Sequence, residues 1–177
     1  MKDAIFAALM FLFACRTAAA QGPDALQQAP DFELPYATKD SVARTPLRLS
    51  TLIGSANIVL AFYPADWSPG CTREACTFRD AFAGFDSLQA IVLGISGDYV
   101  WSHHAWAQHH NLPFRLLSDH RLEVARLYSS YNEKSDQARR TVFVVDKKGR
   151  IAYRDLEYSV ADESDFQRLR QVLEALR

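Results

Sequence analysis

Two cysteines, Cys71 and Cys76, lie five residues apart in the segment YPADWSPGCTREACTFRD. A thiolate is a strong nucleophile, and two thiols can form and break a disulfide reversibly. A Pro-Gly turn precedes Cys71 and an apolar pattern with helical period follows it, so Cys71 is expected in the first turn of a helix. Free backbone N–H groups and the helix dipole favour the thiolate there, and the position therefore suits a nucleophile.

The spacing of the two cysteines distinguishes a redox switch from a structural disulfide. On one regular helix their Cα atoms would be separated by about 7.5 Å of rise, or roughly 8–9 Å in all. A disulfide usually needs Cα atoms closer than about 7 Å. In an oxidising compartment, a pair of cysteines often forms a structural disulfide. This spacing, however, requires the helix to unwind before Cys71 and Cys76 can bond. The pattern therefore favours a redox switch.

Residues just before Cys71 form the pattern P-x-x-x-S-x-x-C, with Pro64 and Ser68 at its fixed positions. A hydroxyl three residues before the thiolate can hydrogen-bond a bound oxygen, and Pro64 can shield the sulfur from water. The alternative is that Ser68, Pro69 and Gly70 are ordinary turn residues.

The segment FYPADWSPGCTREACTFRD resembles the active-site segment of peroxiredoxins of the bacterioferritin-comigratory, or Q-type, group, in which the pattern is close to FYPxxxTPGCTxEAxxFRD. VLGISGD, LPFRLLSD and R-x-x-F-V-V-D-x-x-G-R-I extend the similarity over residues 32–177. The resemblance implies an AhpC/TSA-like thiol peroxidase with no metal, haem or flavin. It also implies a thioredoxin-like α/β fold, with helices flanking a central mixed β-sheet, and a monomer.

The resemblance implies a role for each matching residue. Cys71 matches the peroxidatic cysteine and Cys76 the resolving cysteine. Pro64 and Ser68 match the proline and the hydroxyl residue of the peroxide site, and Arg140 matches the arginine that faces the thiolate.

Two further residues near the motif allow more than one interpretation. Arg139 neighbours Arg140, but adjacent residues of a strand point to opposite faces. Glu74 matches the motif glutamate and would orient an active-site arginine; a solvated acid in the first helical turn is the alternative. Ser68 replaces the commoner threonine, and Trp67 is larger than many residues found at its position.

The implied reaction is peroxide reduction. The Cys71 thiolate would attack H₂O₂ or an alkyl hydroperoxide and become a sulfenic acid, which Cys76 would convert to a disulfide. A thioredoxin-like dithiol protein would then regenerate both thiols. The competing interpretation is an exported thioredoxin-like disulfide oxidoreductase, which would be expected to carry C-x-x-C rather than C-x4-C.

The first 20 residues have the pattern of a secretory signal peptide. An apolar run over 4–14 follows an early lysine, and three alanines over 18–20 resemble a cleavage site. The expected product is an exported, periplasmic protein that begins at Gln21. A lipoprotein anchored through Cys15 is the alternative.

Composition and pattern predict one domain over 32–177, preceded by a linker over 21–31. The net charge of −1 gives no basic stripe for nucleic acid, and no apolar run has the length of a membrane span. Alternating strands and helices, then a hairpin and a final helix, predict an α/β sandwich. Predicted strands cover 32–34, 47–49, 57–63, 90–96, 116–117, 141–145 and 151–156; predicted helices cover 71–85, 99–110, 122–128 and 164–177, the last capped by Ser164.

Four histidines, His103, His104, His109 and His110, lie on the helix predicted over 99–110. Their spacings do not match the i, i+4 pair of a helical metal site, so a solvated polar face is expected. Trp101 and Trp106 on this helix are expected to pack in the core or at an interface.

Overall fold

A mixed six-stranded sheet forms the centre of the computed structural model, which describes residues 23–177. The strands are β1 Glu33–Leu34, β2 Tyr36–Ala37, β3 Leu47–Arg48, β4 Asn57–Phe62, β5 Ala90–Ser96, β6 Arg115–Ser118, β7 Tyr131–Asn132, β8 Gln137–Ala138, β9 Thr141–Val145 and β10 Ile151–Asp155. The helices are α1 Pro69–Asp80, α2 Phe82–Ser87, α3 Val100–His110, α4 Glu123–Leu127 and α5 Glu163–Ala175, with a 3-10 turn at Leu49–Thr51.

The sheet has the strand order β10-β9-β4-β5-β6-β2. Strands β4, β5 and β6 are parallel, whereas β9, β10 and β2 pair antiparallel to their neighbours. Every residue of β4 and β9 is buried, as expected for strands whose two faces are both covered. The prediction of a central mixed sheet flanked by helices is confirmed.

Two apolar clusters cover the two faces of the sheet. Helices α1, α2, α3 and α5 pack on one face, around Phe78, Phe85, Trp106 and Leu169. Helix α4 and the segment with β1 and β3 pack on the other face, where Tyr128 contacts Phe62 and Phe143. The site described below lies where α1 meets the first face.

The prediction of one helix over 71–85 is wrong, because the chain forms two helices with a break at Ala81. Ala81 leaves the helical region with φ −91° and ψ 2°. Across this break, Phe85 in α2 packs edge-to-face on Phe78 in α1, with ring centroids 5.8 Å apart.

The predicted cap of the last helix is also wrong. Asp162, not Ser164, is the N-cap of α5, and its carboxylate accepts a hydrogen bond from the Ser164 N–H at 2.9 Å. An aspartate satisfies a free N–H at a helix start as well as a serine does, so the motif allowed either residue. The helix ends at Ala175.

The described part of the predicted linker, residues 23–31, lies against the β9–β10 hairpin. The Leu26 N–H donates to the Ile151 carbonyl at 2.7 Å, and the Ile151 N–H donates to the Gln27 carbonyl at 2.8 Å. The predicted signal peptide over 1–20 and Cys15 lie outside the described residues. Among residues 23–177, no helix is long and apolar enough to cross a membrane.

Candidate active site

The loop between β4 and α1 places Cys71 at the start of a helix. Ser68 is the N-cap of α1, and its hydroxyl oxygen accepts a hydrogen bond from the Cys71 N–H at 3.4 Å. Pro69 occupies the first helical position, where its missing N–H leaves no bond unmade. Cys71 therefore lies in the first turn of α1, as predicted.

The Cys71 sulfur lies beside a guanidinium group. Arg140 Nη2 donates to Cys71 Sγ at 3.4 Å, and Arg140 Nη1 forms a close ion pair with Glu74 Oε2. Cys71 is only 1% exposed, so the charge of Arg140 acts on the sulfur with little screening by water. The guanidinium therefore places a positive charge in direct contact with the nucleophilic sulfur.

Arg140 and Arg139 diverge just before β9, as the alternation of an extended chain predicts. Arg139 has different partners from Arg140: its Nη2 donates to the Leu156 carbonyl at 3.1 Å and pairs with Glu157. Burial tends to lower the pKa of Arg140, but Glu74 and Cys71 together raise it above its ordinary value. Arg140 is therefore a fixed positive charge at the site.

Glu74 is buried, so the alternative of a solvated acid is wrong. The residue is 4% exposed and lies one turn after Cys71 on α1. Burial raises its pKa from 4.5 to about 7, against the opposing effect of Arg140. Its second carboxylate oxygen, Oε1, has no hydrogen-bond partner among the described residues. The Glu74–Arg140 ion pair is thus sensitive to pH near neutrality.

Gly70 lies close to Arg140, a contact that the sequence does not reveal. A Cβ atom at Gly70 would lie 3.3 Å from Arg140 Nη2, so the guanidinium would have to shift by a few tenths of an ångström to accommodate it. The Pro-Gly pair, which the sequence pattern indicates as a turn, therefore also leaves space beside the guanidinium.

Cys76 lies on the same helix as Cys71, and both are free thiols. It is half-buried, whereas Cys71 is buried. Helix α1 runs from Pro69 to Asp80, so the two sulfurs cannot bond in this conformation.

Pro64 lines a surface cleft together with Arg139, Arg140 and Tyr158. Ser68 uses its hydroxyl to donate to the Ala65 carbonyl at 3.2 Å, in addition to capping α1. The contacts of Pro64 and Ser68 with a bound peroxide stay predictions.

The expectation of a solvated histidine face on α3 is wrong for His103. Its side chain is fully buried and lies 2.9 Å from Asp66 Oδ2. His103 precedes Trp106 and Ala107, both buried, by three and four residues, and this helical spacing was the available signal. Trp106 is in the core, whereas Trp101 is 71% exposed. Among residues 23–177, no cluster of three potential ligands could hold a metal ion.

Several known proteins resemble this chain in sequence and in structure. The sequence profile of the AhpC/TSA family matches residues 25–154. Peroxiredoxin Bcp of Bacillus subtilis (strain 168) is 40% identical over 131 residues, which are 71% of this chain and 80% of that protein. The chain belongs to the AhpC/TSA family.

Other members of the AhpC/TSA family extend the similarity. Chloroplastic peroxiredoxin Q of Triticum aestivum is 41% identical over 128 residues, which are 70% of this chain and 55% of that protein. The crystal structure of peroxidoxin BcpB from Mycobacterium tuberculosis has a TM-score of 0.75 at 32% identity and covers 88% of this chain and 99% of that one. The thioredoxin-like α/β fold is therefore confirmed.

Proposed function

We propose that this AhpC/TSA-family protein is a thiol-dependent peroxidase that reduces hydrogen peroxide and organic hydroperoxides in antioxidant defence. The observation that carries this function is the contact between Cys71 Sγ and Arg140, at the capped start of a helix that also holds Cys76. Helix α1 carries both thiols, and the residue directly before β9 supplies the positive charge beside Cys71.

In the first step the Cys71 thiolate attacks one oxygen of the peroxide. The O–O bond breaks, the sulfur becomes a sulfenic acid, and the leaving oxygen takes a proton to give water or an alcohol. Ser68, Arg140 and the backbone N–H of Cys71 would stabilise the charge that moves onto the leaving oxygen. Pro64 and Ser68 complete the proposed peroxide site.

In the second step the Cys76 thiol condenses with the sulfenic acid. A disulfide forms and one water molecule leaves. Because the two cysteines lie too far apart on an intact helix, the first turns of α1 must unwind for this step.

In the third step an external dithiol reduces the disulfide by thiol–disulfide exchange and becomes oxidised itself. We propose a thioredoxin-like reductant and a monomeric peroxidase. Light scattering of the reduced protein tests whether the peroxidase is a monomer, because the mass of a dimer would contradict that proposal.

We also propose that the protein is exported to the periplasm. The support is the sequence pattern over 1–20, with cleavage before Gln21. Lipidation at Cys15 is the alternative route to an exported protein.

Stopped-flow fluorescence after mixing reduced protein with one equivalent of H₂O₂ tests the peroxidase function. The wild type should react much faster than a free thiol, Cys71→Ser should not react, and Cys76→Ser should react in the first step only. If the wild type reacts no faster than a free thiol but reduces protein disulfides, the competing oxidoreductase function is correct.

A further inference from the structure

A buried polar cluster joins the loop before α1 to α3 and β6. The side chains of Asp66 and His103 are both 0% exposed. His103 Nδ1 lies 2.9 Å from Asp66 Oδ2, and His103 Nε2 lies 3.2 Å from the Leu117 carbonyl oxygen. Burial of an ionisable side chain costs free energy unless the group is paired and hydrogen-bonded. Asp66 and His103 are buried together and are each other's partners.

The contacts hold the imidazole ring of His103 at both of its nitrogens. A carbonyl oxygen only accepts, so His103 Nε2 donates to the Leu117 carbonyl. His103 Nδ1 faces the Asp66 carboxylate.

Two hydroxyl groups complete the bonds of the Asp66 carboxylate. The Tyr63 hydroxyl donates to Oδ1 at 2.8 Å, and the Ser102 hydroxyl donates to Oδ2 at 2.8 Å. Burial, together with the negative charge of Asp66, raises the pKa of Tyr63 well above its ordinary value. Tyr63 therefore stays a donor to the carboxylate.

A second set of bonds holds the backbone of the same loop. The Asp66 N–H donates to Asp98 Oδ2 at 2.8 Å, and the Ser96 hydroxyl donates to the same oxygen at 2.7 Å. The Ser118 hydroxyl donates to the Asp98 carbonyl at 2.6 Å. The loop is thus attached to the ends of β5 and β6 through groups that lie outside α1.

This loop leads directly to the reactive cysteine. Trp67, next to Asp66, has φ +63°, an unfavourable angle for a bulky residue, and its indole N–H donates to the Ser102 hydroxyl at 3.3 Å. The next residue, Ser68, caps α1. Tyr63 and Cys71 line one small cavity between α1 and the sheet.

We propose that Asp66 and His103 are positioning residues that hold the loop over 63–68, and with it the Ser68 cap and the first turn of α1, in the peroxide-reactive conformation. The inference rests on the proposed peroxidase function. The hydrogen bonds of the pair among the described residues go to groups outside α1, so the loop stays in place while α1 unwinds for disulfide formation, and it provides the point from which the helix forms again.

The pair is not part of the recognised motif. Asp66 occupies an unspecified position of FYPxxxTPGC, and His103 lies on another helix, where sequence reasoning expected a solvated side chain.

Single-turnover stopped-flow kinetics test the proposal, with separate rate constants for the peroxide step and for disulfide formation. Asp66→Asn and His103→Gln should each slow the peroxide step by about tenfold, and the double variant should be slowed by a similar factor because the pair acts as a unit. Disulfide formation should stay as fast as in the wild type or become faster. His104→Gln is the matched control, because His104 lies next to His103 on α3 but bonds the Thr38 carbonyl instead of Asp66. This variant should behave like the wild type.

Proton NMR gives a second measurement. The wild type should show a slowly exchanging imidazole N–H resonance that His103→Gln removes and His104→Gln retains. If Asp66→Asn does not fold, Ser102→Ala, which removes one donor to the carboxylate, should still slow the peroxide step more than disulfide formation.

Normal peroxide kinetics in the Asp66 and His103 variants, or equal slowing of both steps, would overturn the positioning role. A wild type that does not react with peroxide would instead overturn the proposed function. The two failures are thus distinguishable in one set of experiments.

Discussion

At the scale of single residues, the site consists of a buried sulfur, a cation and a carboxylate. Arg140 contacts both Cys71 and Glu74, and Gly70 leaves room for it. Glu74 holds the guanidinium in place, and the guanidinium in turn contacts the sulfur. Small changes at any of these positions should therefore change the reactivity of Cys71 more than they change the fold.

Replacement of Arg140 tests the role of the positive charge. Arg140→Gln should slow the peroxide step by about a hundredfold, a typical loss when a donor that stabilises developing negative charge is removed. Arg139→Gln is the matched control, because Arg139 precedes the same strand but pairs with Glu157 on the other side. The measurement is the second-order rate constant with H₂O₂, and equal losses in the two variants would contradict the assignment.

Glu74 makes stability depend on pH. Its pKa is raised from 4.5 to about 7 on folding, so the folded state binds a proton that the unfolded state releases in this range. The contribution of Glu74 to the free energy of unfolding is complete below about pH 4.5 and is lost as the pH rises towards 7. Glu74→Gln carries no titrating group at this position, so its free energy of unfolding should not show this decrease.

Urea unfolding of the wild type and of Glu74→Gln at several pH values between 4.5 and 8 measures this effect. The stability of the wild type, relative to that of Glu74→Gln, should fall as the pH rises. Glu174→Gln, at an exposed position on α5, is the control, and its free energy of unfolding should change with pH in the same way as that of the wild type. A difference between wild type and Glu74→Gln that does not change with pH would contradict the raised pKa.

The sequence predicted part of this site and missed part of it for physical reasons. Strand alternation separated Arg140 from Arg139, and helix spacing put Glu74 one turn from Cys71. Asp66 had no such signal, because its loop has no periodicity and its partner His103 is 37 residues away. Long-range pairs of polar residues form only when the fold brings them together.

At the scale of elements, α1 must be stable enough to position Cys71 and yet able to unwind. The helix is capped by Ser68 and ends at Asp80, and α2 begins at Phe82 after the break at Ala81. The sequence did not reveal this break, because Phe78, Phe82 and Phe85 keep a helical spacing across it. The buried strands were predicted more closely, with β5 and β9 matching to the residue, since a continuous apolar run marks a covered strand.

The cap of α1 is the element-scale test. Ser68→Ala should lower the free energy of unfolding by about 1 kcal/mol, because the Cys71 N–H loses its acceptor. The unwound helix should then be more populated, so disulfide formation should become faster and the peroxide step slower. Ser68→Thr keeps the oxygen and should stay close to the wild type. Unfolding curves with stopped-flow kinetics measure both effects, and an unchanged Ser68→Ala variant would contradict the capping role.

At the scale of the whole molecule, the sheet keeps the two reactive segments together. Strand β4 ends at the loop before α1, and its neighbour β9 begins directly after Arg140. The short strands β2, β7 and β8 were missed by the sequence analysis, because two residues are too few to show a period. The residues of the site therefore lie next to two neighbouring strands of the sheet, on the loop and helix that follow β4 and directly before β9.

Export is a prediction about the whole protein. Expression of the full chain in a bacterium with a periplasm should give a soluble periplasmic product whose N-terminal residue is Gln21. Cys15→Ala should not change this result. If the wild type is instead found with the membrane fraction and Cys15→Ala is released from it, the lipoprotein alternative is correct.

The most direct test of the central claim is the intact mass of the protein after one equivalent of H₂O₂. The account predicts that the wild type loses two hydrogen atoms and that peptide mapping finds Cys71 bonded to Cys76 in one chain. Cys76→Ser should instead gain one oxygen atom on Cys71. A wild type that keeps both thiols, or that links Cys71 to a second chain, would contradict the account.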